Sequence, residues 1–275
     1  MPEPTGSARD LPDPARAHLR QNIRQFGENA RGYAMSRTHT EGGTRHLLIE
    51  RLQPVMDETV LDVACGAGGM TLAIAEYVET AIGLDPAPEM LAALDLGARR
   101  AERINVRAVR GDAHALPFRD GSLQIVTARM APHHFHDPAL AVRESARVLA
   151  RGGRLGIADG TVPENAELDA FINRLDTLHD PTTVRNYNAP EWRAFYEAAG
   201  LRVDSVEEEA FDLTEGRLLS EWVGRSGGSS SVFDECRRML LGAPFAVKRA
   251  LRVQAEGDDV RFDLPKIVIV GTKTS

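Results

Sequence analysis

The chain has 275 residues, 43% of them hydrophobic, enough to bury a sizeable core in one large globular unit. Its formal net charge of −7 leaves no basic surface to neutralise a phosphate backbone, which argues against nucleic acid as a partner. Two cysteines, Cys65 and Cys236, are too few for a disulfide framework and lack the spacing of a zinc site.

No apolar run reaches the ~18 residues that a membrane-spanning helix needs, and the N-terminus has no signal-peptide pattern, so a soluble, cytoplasmic protein is expected. Four of the first fourteen residues are proline, and the chain is expected to begin as an irregular arm, with order starting near Ala15. The stretch "QNIRQFGENARGYAMSRTHTEGG" is polar and punctuated by glycine, whereas "TRHLLIERLQP" has apolar residues at helical spacing and stops before Pro54. These read as two helices joined by a loop.

From Glu58 onward short apolar strands alternate with amphipathic helices: "TVLDVA", "MTLAIAEYV", "TAIGLD", "PEMLAALDLGARRA", "INVRAVRGD", "LQIVTARM", "PALAVRESARVLA" and "GRLGIAD". Strands that alternate with crossover helices imply a parallel sheet covered on both faces, a doubly wound α/β architecture. After Asp159 the rhythm breaks into helical segments, with strands at "LRVDSVEEEAF" and "KIVIVGTK". These helices are expected to cap one edge of the sheet, with "GRSGGSSS" as a flexible joint.

The stretch "VLDVACGAGG" places a glycine loop between a strand and a helix, at the open strand ends where doubly wound sheets bind their ligands. An NAD fingerprint needs a third glycine where Thr71 stands. Asp85 closes the second strand, where a carboxylate can accept from two ribose hydroxyls. In "GDAHALPF", Asp112 could accept from an adenine amine while the Ala113 amide addresses a ring nitrogen. Bland roles stay open: Asp62 as a loop-organising acceptor, Asp85 as a helix cap, Asp112 as a turn former, Met90 as plain core.

Together "VLDVACGAGG", "IGLDPAPEML", "GDAHALPF" and "VLARGGRLGIAD" resemble, in order and spacing, the signature stretches of class I S-adenosylmethionine-dependent methyltransferases. They are most similar to the branch of ubiquinone and menaquinone C-methyltransferases (UbiE-like). The likeness is clear over residues 26–160 and weaker in "HDPTTVRNYNAPEWRAFYEAAGL". It implies one methyltransferase domain: an N-terminal arm and helical lid over residues 1–56, a cofactor-binding core over 57–160, and cap insertions with the final strands over 161–275. It further implies that Asp62, Gly66 and Gly68 frame the methionine end of the cofactor, Asp85 the ribose, and Asp112 with Ala113 the adenine, with Pro86 and Met90 alongside. Ala64 stands where the family most often has its first glycine, a change that is tolerable if the backbone angles there are ordinary.

In "ARMAPHHFHD" the chain leaves the fourth strand beside the expected methyl acceptor. His133 or His134 is a candidate general base, or else a loop or helix-cap residue. A metal held by His133, His134, His136 and Asp137 is disfavoured, because neighbours on one loop rarely converge on one ion. Arg129 is expected to pair with a carboxylate, Asp62 or the cofactor, or to form a surface salt bridge, while Phe135 reads as loop core. Phe26, Tyr33, Ser36 and His39 precede the first strand, in the segment that related enzymes use as a lid. The resemblance therefore puts Tyr33 near the methionine moiety, with ordinary helix packing as the alternative. Phe171, Tyr187, Trp192, Phe195 and Phe211 are cap aromatics expected to enclose an apolar acceptor, and the cap is expected to set acceptor choice.

The implied activity is methyl transfer to a small apolar or aromatic acceptor, at carbon or oxygen. The rivals are a catalytically silent S-adenosylmethionine-binding protein and, less favoured, an NAD-dependent oxidoreductase.

Overall fold

A computed structural model describes residues 13–36, 42–210 and 216–274. The proline-rich start, His39 and Phe211 lie outside these residues. Seven strands form the main sheet: β1 (Thr59–Val63), β2 (Thr80–Asp85), β3 (Val106–Arg110), β4 (Leu123–Arg129), β5 (Leu149–Gly160), β6 (Leu201–Ala210) and β10 (Lys266–Lys273). Their order is β3-β2-β1-β4-β5-β10-β6. The first five pair in parallel, and β10 runs antiparallel between β5 and β6. Four of the five residues of β1 and the first six of β10 are buried, as central strands covered on both faces require.

Helices cover the two faces of this sheet. On one side α3 (Gly43–Leu52), α4 (Gly69–Ile74) and α5 (Pro88–Arg100) contribute Leu48, Leu52, Ile74 and Leu94 to a core of Val60, Ile125, Val268 and Val270. On the other, α6 (Pro138–Val148) and α8 (Ala189–Ala198) set Val142, Ala146, Trp192 and Tyr196 against Leu61, Val126, Leu155 and Ile269. Both helices start cleanly. Asp137 Oδ1 accepts from the Leu140 amide at 2.8 Å, and Asn188 with Glu191 forms a capping box at the start of α8.

The segment that reads as a polar loop is largely helical. Helix α1 (Asp13–Glu28) runs through Gly27 and is followed at once by α2 (Ala30–Met35). A Cβ at Gly27 would lie 2.8 Å from the Glu89 carboxylate, so this glycine permits close packing on α5 and does not break the helix.

The late segments build a separate apolar cluster. It joins α7 (Ala166–His179), α9 (Leu219–Arg225), α10 (Ser230–Gly242) and α11 (Phe245–Ala250) through Ile172, Leu175, Trp222, Leu240 and Val247. A small sheet of β7 (Arg217–Leu218), β9 (Asp259–Phe262) and β8 (Gln254–Glu256) closes it. Inside this cap "GRSGGSSS" is a tied turn, contrary to its flexible composition. Ser226 Oγ lies 2.8 Å from His179 Nε2, Gln25 Nε2 donates to the Ser226 carbonyl at 2.9 Å, and Ser229 caps α10.

The cap aromatics also depart from expectation. Tyr187, Trp192 and Phe195 pack edge to face on one another at 5.5 to 5.8 Å, against the sheet core. Phe171 packs against the cap's own cluster. None of these four lines the main cleft, because each has an apolar surface nearer at hand. Among the described residues no helix is long and apolar enough to cross a membrane.

Candidate active site

The open ends of β1, β2, β3 and β4 border a cleft of about 320 Å³, within the range of small-ligand sites. At the end of β1, Asp62 is almost fully buried and accepts from Thr71 Oγ1 at 2.6 Å and Thr127 Oγ1 at 2.9 Å. Burial pushes its carboxyl up to about 6, against the opposing pull of these hydroxyls and of Arg129. The residue that breaks the NAD pattern, Thr71, thus orients the first acid of the site.

The loop after β1 turns through three left-handed residues: Ala64 at φ 52°, Gly66 at 54° and Gly68 at 91°. The backbone at Ala64 is therefore not ordinary. An L side chain in this conformation costs about 1–2 kcal/mol, which explains why a glycine suits the position better. Gly68 does not line the cleft, and a Cβ there would collide with the Leu94 side chain, so its work is helix packing. Gly66 does line the cleft, and a Cβ added to it would meet nothing nearer than Met90 Sδ at 3.9 Å.

Asp85 ties this loop to the second strand. Its Oδ2 accepts from the Gly66 amide and its Oδ1 from the Ala87 amide, both at 2.9 Å. Burial raises its carboxyl to about 6. Each oxygen keeps a second lone pair, so anchoring the loop and receiving ribose hydroxyls are compatible roles. At the end of β3, Asp112 accepts from the His114 amide at 3.0 Å and pairs with its Nδ1 at 2.7 Å. Burial would raise Asp112, but His114 outweighs it and holds the carboxyl below its usual range. Pro86, Met90 and Ala113 line the same end of the cleft.

Arg129 projects from the end of β4. It is buried, its Nε donates to Thr44 Oγ1 at 3.1 Å, and it lines the cleft. Opposite, α1 and α2 form a lid that places His18, Asn22, Phe26 and Tyr33 on the cleft wall. His18 Nε2 and Asn22 Nδ2 reach the His134 carbonyl, at 2.8 and 3.3 Å, which fastens the lid to the loop after β4. Tyr33 is buried, its ring 5.3 Å from Phe26, and burial raises its phenol. Ser36 closes α2, its amide donating to the Tyr33 carbonyl at 3.2 Å.

The two adjacent histidines have different environments. His133 pairs through Nδ1 with Asp159 Oδ1 at 2.6 Å, while its amide donates to Oδ2 at 2.7 Å. Burial opposes the imidazolium, but Asp159 wins and leaves His133 above its ordinary value. His134 is driven down to about 4 by burial and by the neighbouring His133. Its Nδ1 lies 3.1 Å from Thr182 Oγ1, whose own proton goes to Asp180 Oδ1 at 2.6 Å. Nδ1 must therefore carry the hydrogen in that contact, and Nε2 is left as the acceptor. His134 lines the main cleft. His133 borders a second, smaller chamber beyond it.

Sequence reasoning missed Asp159, read only as the end of a strand, and the cap residues of that chamber. The one available signal was its position at the ligand end of β5. His136 stacks on His114 at 3.7 Å and Asp137 caps α6, so the His–Asp run is divided among separate tasks. Among the described residues no group of three or more His, Cys, Asp or Glu could hold a metal ion.

The chain belongs to the class I S-adenosylmethionine-dependent methyltransferases, and residues 61–157 match the methyltransferase domain family. Its kinship extends along nearly the whole chain. It is 33% identical over 257 residues to the uncharacterized methyltransferase YcgJ of Bacillus subtilis, covering 92% of this chain and 99% of that one. The crystal structure of YcgJ superposes with a TM-score of 0.76 at 32% identity, over 84% of this chain and 98% of that one. The 27-O-demethylrifamycin SV methyltransferase of Amycolatopsis mediterranei is 31% identical, over 66% of this chain and 70% of its own. A demethylmenaquinone methyltransferase of Thermus thermophilus is 40% identical over 108 residues, 38% of this chain and 48% of its own.

The cleft fits the cofactor of this family. Gly66 leaves the wall open where a side chain would intrude, two buried carboxylates stand at successive strand ends, and the volume suits a nucleoside with its amino-acid tail.

Proposed function

We propose that the chain methylates a small acceptor with an apolar or aromatic body, at carbon or oxygen, in the manner of the ubiquinone and menaquinone C-methyltransferase branch. The observation that carries this reading is the continuity of the cleft. One end holds Asp85 and Asp112, and the other is walled by Phe26, Tyr33, Met130 and Phe135 beside the paired histidines. The identity with the Thermus thermophilus enzyme supports the branch through the core segment alone.

When bound, the cofactor supplies a methyl group already activated on a sulfonium. The protein's own residues then bind, align, exclude water and take up a proton. Asp85 receives the ribose hydroxyls, Asp112 and the Ala113 amide address the adenine, and Pro86 and Met90 flank it. Asp62, Ala64, Gly66 and Arg129 surround the methionine end, with Tyr33 closing it from the lid, while Gly68 acts by shaping the turn. His133, oriented by Asp159, is the general base, and His134 faces the acceptor as a neutral acceptor of hydrogen bonds.

Calorimetry with S-adenosylhomocysteine and NAD is the first test, and only the former should bind. Tight NAD binding with none of S-adenosylhomocysteine would overturn the reading. Incubation with isotopically labelled S-adenosylmethionine and small-molecule extracts then identifies the acceptor by mass.

A further inference from the structure

Beyond Phe26, Tyr33, Met130 and His134, which border both spaces, the cleft adjoins a chamber of about 30 Å³. Apart from those shared residues and from Trp222 and Leu264, its walls are polar. Arg217 and Arg225 line it from the cap, Thr183 and His179 from α7 and the segment after it, and Lys266 from the start of β10. Such a concentration of charge inside a fold is costly unless each group is paired.

Several groups in these walls are not paired. Arg217 Nε, Arg225 Nε, Thr183 Oγ1 and His179 Nδ1 are enclosed with no hydrogen-bond partner in the protein, and Arg217, Thr183 and His179 are each more than nine-tenths buried. The Arg225 guanidinium rests over the Tyr33 ring at 5.7 Å, and among the described residues no hydrogen bond to protein engages it. Arg217 reaches Asp263 Oδ1 only at 3.3 Å.

The acids of the chamber are already engaged. Asp176 accepts from Asn186 Nδ2 at 2.7 Å, and Asp180 accepts from the Thr182 amide and hydroxyl at 2.9 and 2.6 Å. The unmet capacity is thus mainly that of donors, from two guanidiniums and a hydroxyl. The space has room for a head of two or three heavy atoms and none for a ring. A planar oxyanion matches both the donor geometry of arginine and this size.

We propose that the methyl acceptor carries a carboxylate that docks in this chamber against Arg225, Arg217 and Thr183, while its reactive end passes between Tyr33, Met130 and His134 toward the cofactor cleft. This inference rests on the methyl-transfer reading and narrows its substrate class from apolar molecules to aromatic or apolar acids. The carboxylate anchors in the chamber and the throat aligns the body, with the His133 ring 4.0 Å from that of His134 at the throat.

The test uses the full chain saturated with S-adenosylhomocysteine and titrated with acetate, benzoate and phenylacetate, each beside its amide. The acids should bind at least about tenfold tighter than the amides, and Arg225→Gln should abolish that preference with S-adenosylhomocysteine affinity kept within about threefold. A crystal structure with the tightest acid should place its carboxylate within hydrogen-bonding distance of Arg225 and Thr183. If Arg225→Gln does not fold, that structure and the smaller change Thr183→Ala decide the matter. No acid preferred over its amide, a preference retained in the folded variant, or a carboxylate seated elsewhere overturns the inference. Failure to bind S-adenosylhomocysteine at all would instead sink the methyl-transfer reading, so the two failures are distinguishable.

Discussion

The cofactor cleft and the polar chamber beside it are built on opposite plans. In the cleft each acid has a designated partner: Asp62 the hydroxyls of Thr71 and Thr127, Asp85 the amides of Gly66 and Ala87, and Asp112 His114. In the chamber, buried donors from Arg217, Arg225 and Thr183 lack partners in the protein. Satisfied groups hold a shape ready for a ligand shared across a family, whereas unmet groups await the particular molecule that completes them. Between the two spaces lie Tyr33, Met130 and His134, where methyl donor and acceptor would meet.

The sharpest way to separate the two regions is through the base. Replacing His133 with Ala should lower turnover by ~10²- to 10⁴-fold while S-adenosylhomocysteine binding persists, because the base belongs to the acceptor side. The wild-type rate should rise with pH through a value above the ordinary histidine range, since a base works when neutral and Asp159 favours its charged form. Asp159→Asn should move that inflection down. If His133→Ala retains near-normal turnover and His134→Ala does not, the roles of the two histidines are reversed.

A smaller effect is expected on the cofactor side. Asp85→Ala should cost about 1.5 to 3 kcal/mol of S-adenosylhomocysteine affinity through lost charge-assisted hydrogen bonds. The same change removes the acceptor for the Gly66 amide, so the melting temperature should fall as well. Asp85→Asn keeps one oxygen for that amide and should lose affinity with less loss of stability. A lowered melting temperature with unchanged affinity in both variants would make Asp85 a loop clamp and nothing more.

Acid should act on the same half of the molecule. Asp62 and Asp85 are both raised to about 6, so below that pH they become neutral and lose strength as acceptors. Cofactor affinity should then fall by up to about tenfold per pH unit, with a shallower slope in Asp85→Asn. Stability moves the other way for these two groups. A raised carboxyl binds its proton more tightly in the folded state, so protonation between pH about 6 and the ordinary carboxyl range relieves their burial cost. Titration calorimetry at several pH values, set beside melting curves, reads both trends.

How far the sequence could be read follows the same division. The cofactor half is assembled from consecutive strand ends, so "VLDVACGAGG", "IGLDPAPEML" and "GDAHALPF" carried it within local spacing, and the parallel, doubly wound sheet followed from alternation, whereas the order of its strands came from the structure. The chamber is drawn from His133, Asp176, His179, Arg217, Arg225 and Lys266, which no spacing rule joins, and only the fold brings them together, with Asp159 behind His133. Composition misled where packing overrode it. The glycine-punctuated stretch is helical, with Gly27 of α1 close against Glu89 of α5, and "GRSGGSSS" is held by Gln25 and His179. The cap aromatics bury themselves in apolar surface, and charged residues form the chamber.

The smallest expected effect concerns Ala64, a cleft residue whose backbone is held in the left-handed region. Its φ of 52° costs an L residue about 1–2 kcal/mol, which Ala64→Gly would remove. Against that stand the greater freedom of glycine in the unfolded chain, about 0.5–1 kcal/mol, and the loss of one methyl that packs on the sheet core, at most about 0.8 kcal/mol. Ala64 is only partly buried, so the methyl contributes less than its full value and relief of strain wins. The variant should therefore unfold at slightly higher urea, by no more than about 1 kcal/mol, with an unchanged slope. Because the methyl lines the cleft, S-adenosylhomocysteine affinity should hold or improve modestly. A loss of stability would show that the Ala64 methyl matters more to the core than its backbone strain, and a loss of affinity would show that it forms part of the wall against the methionine end.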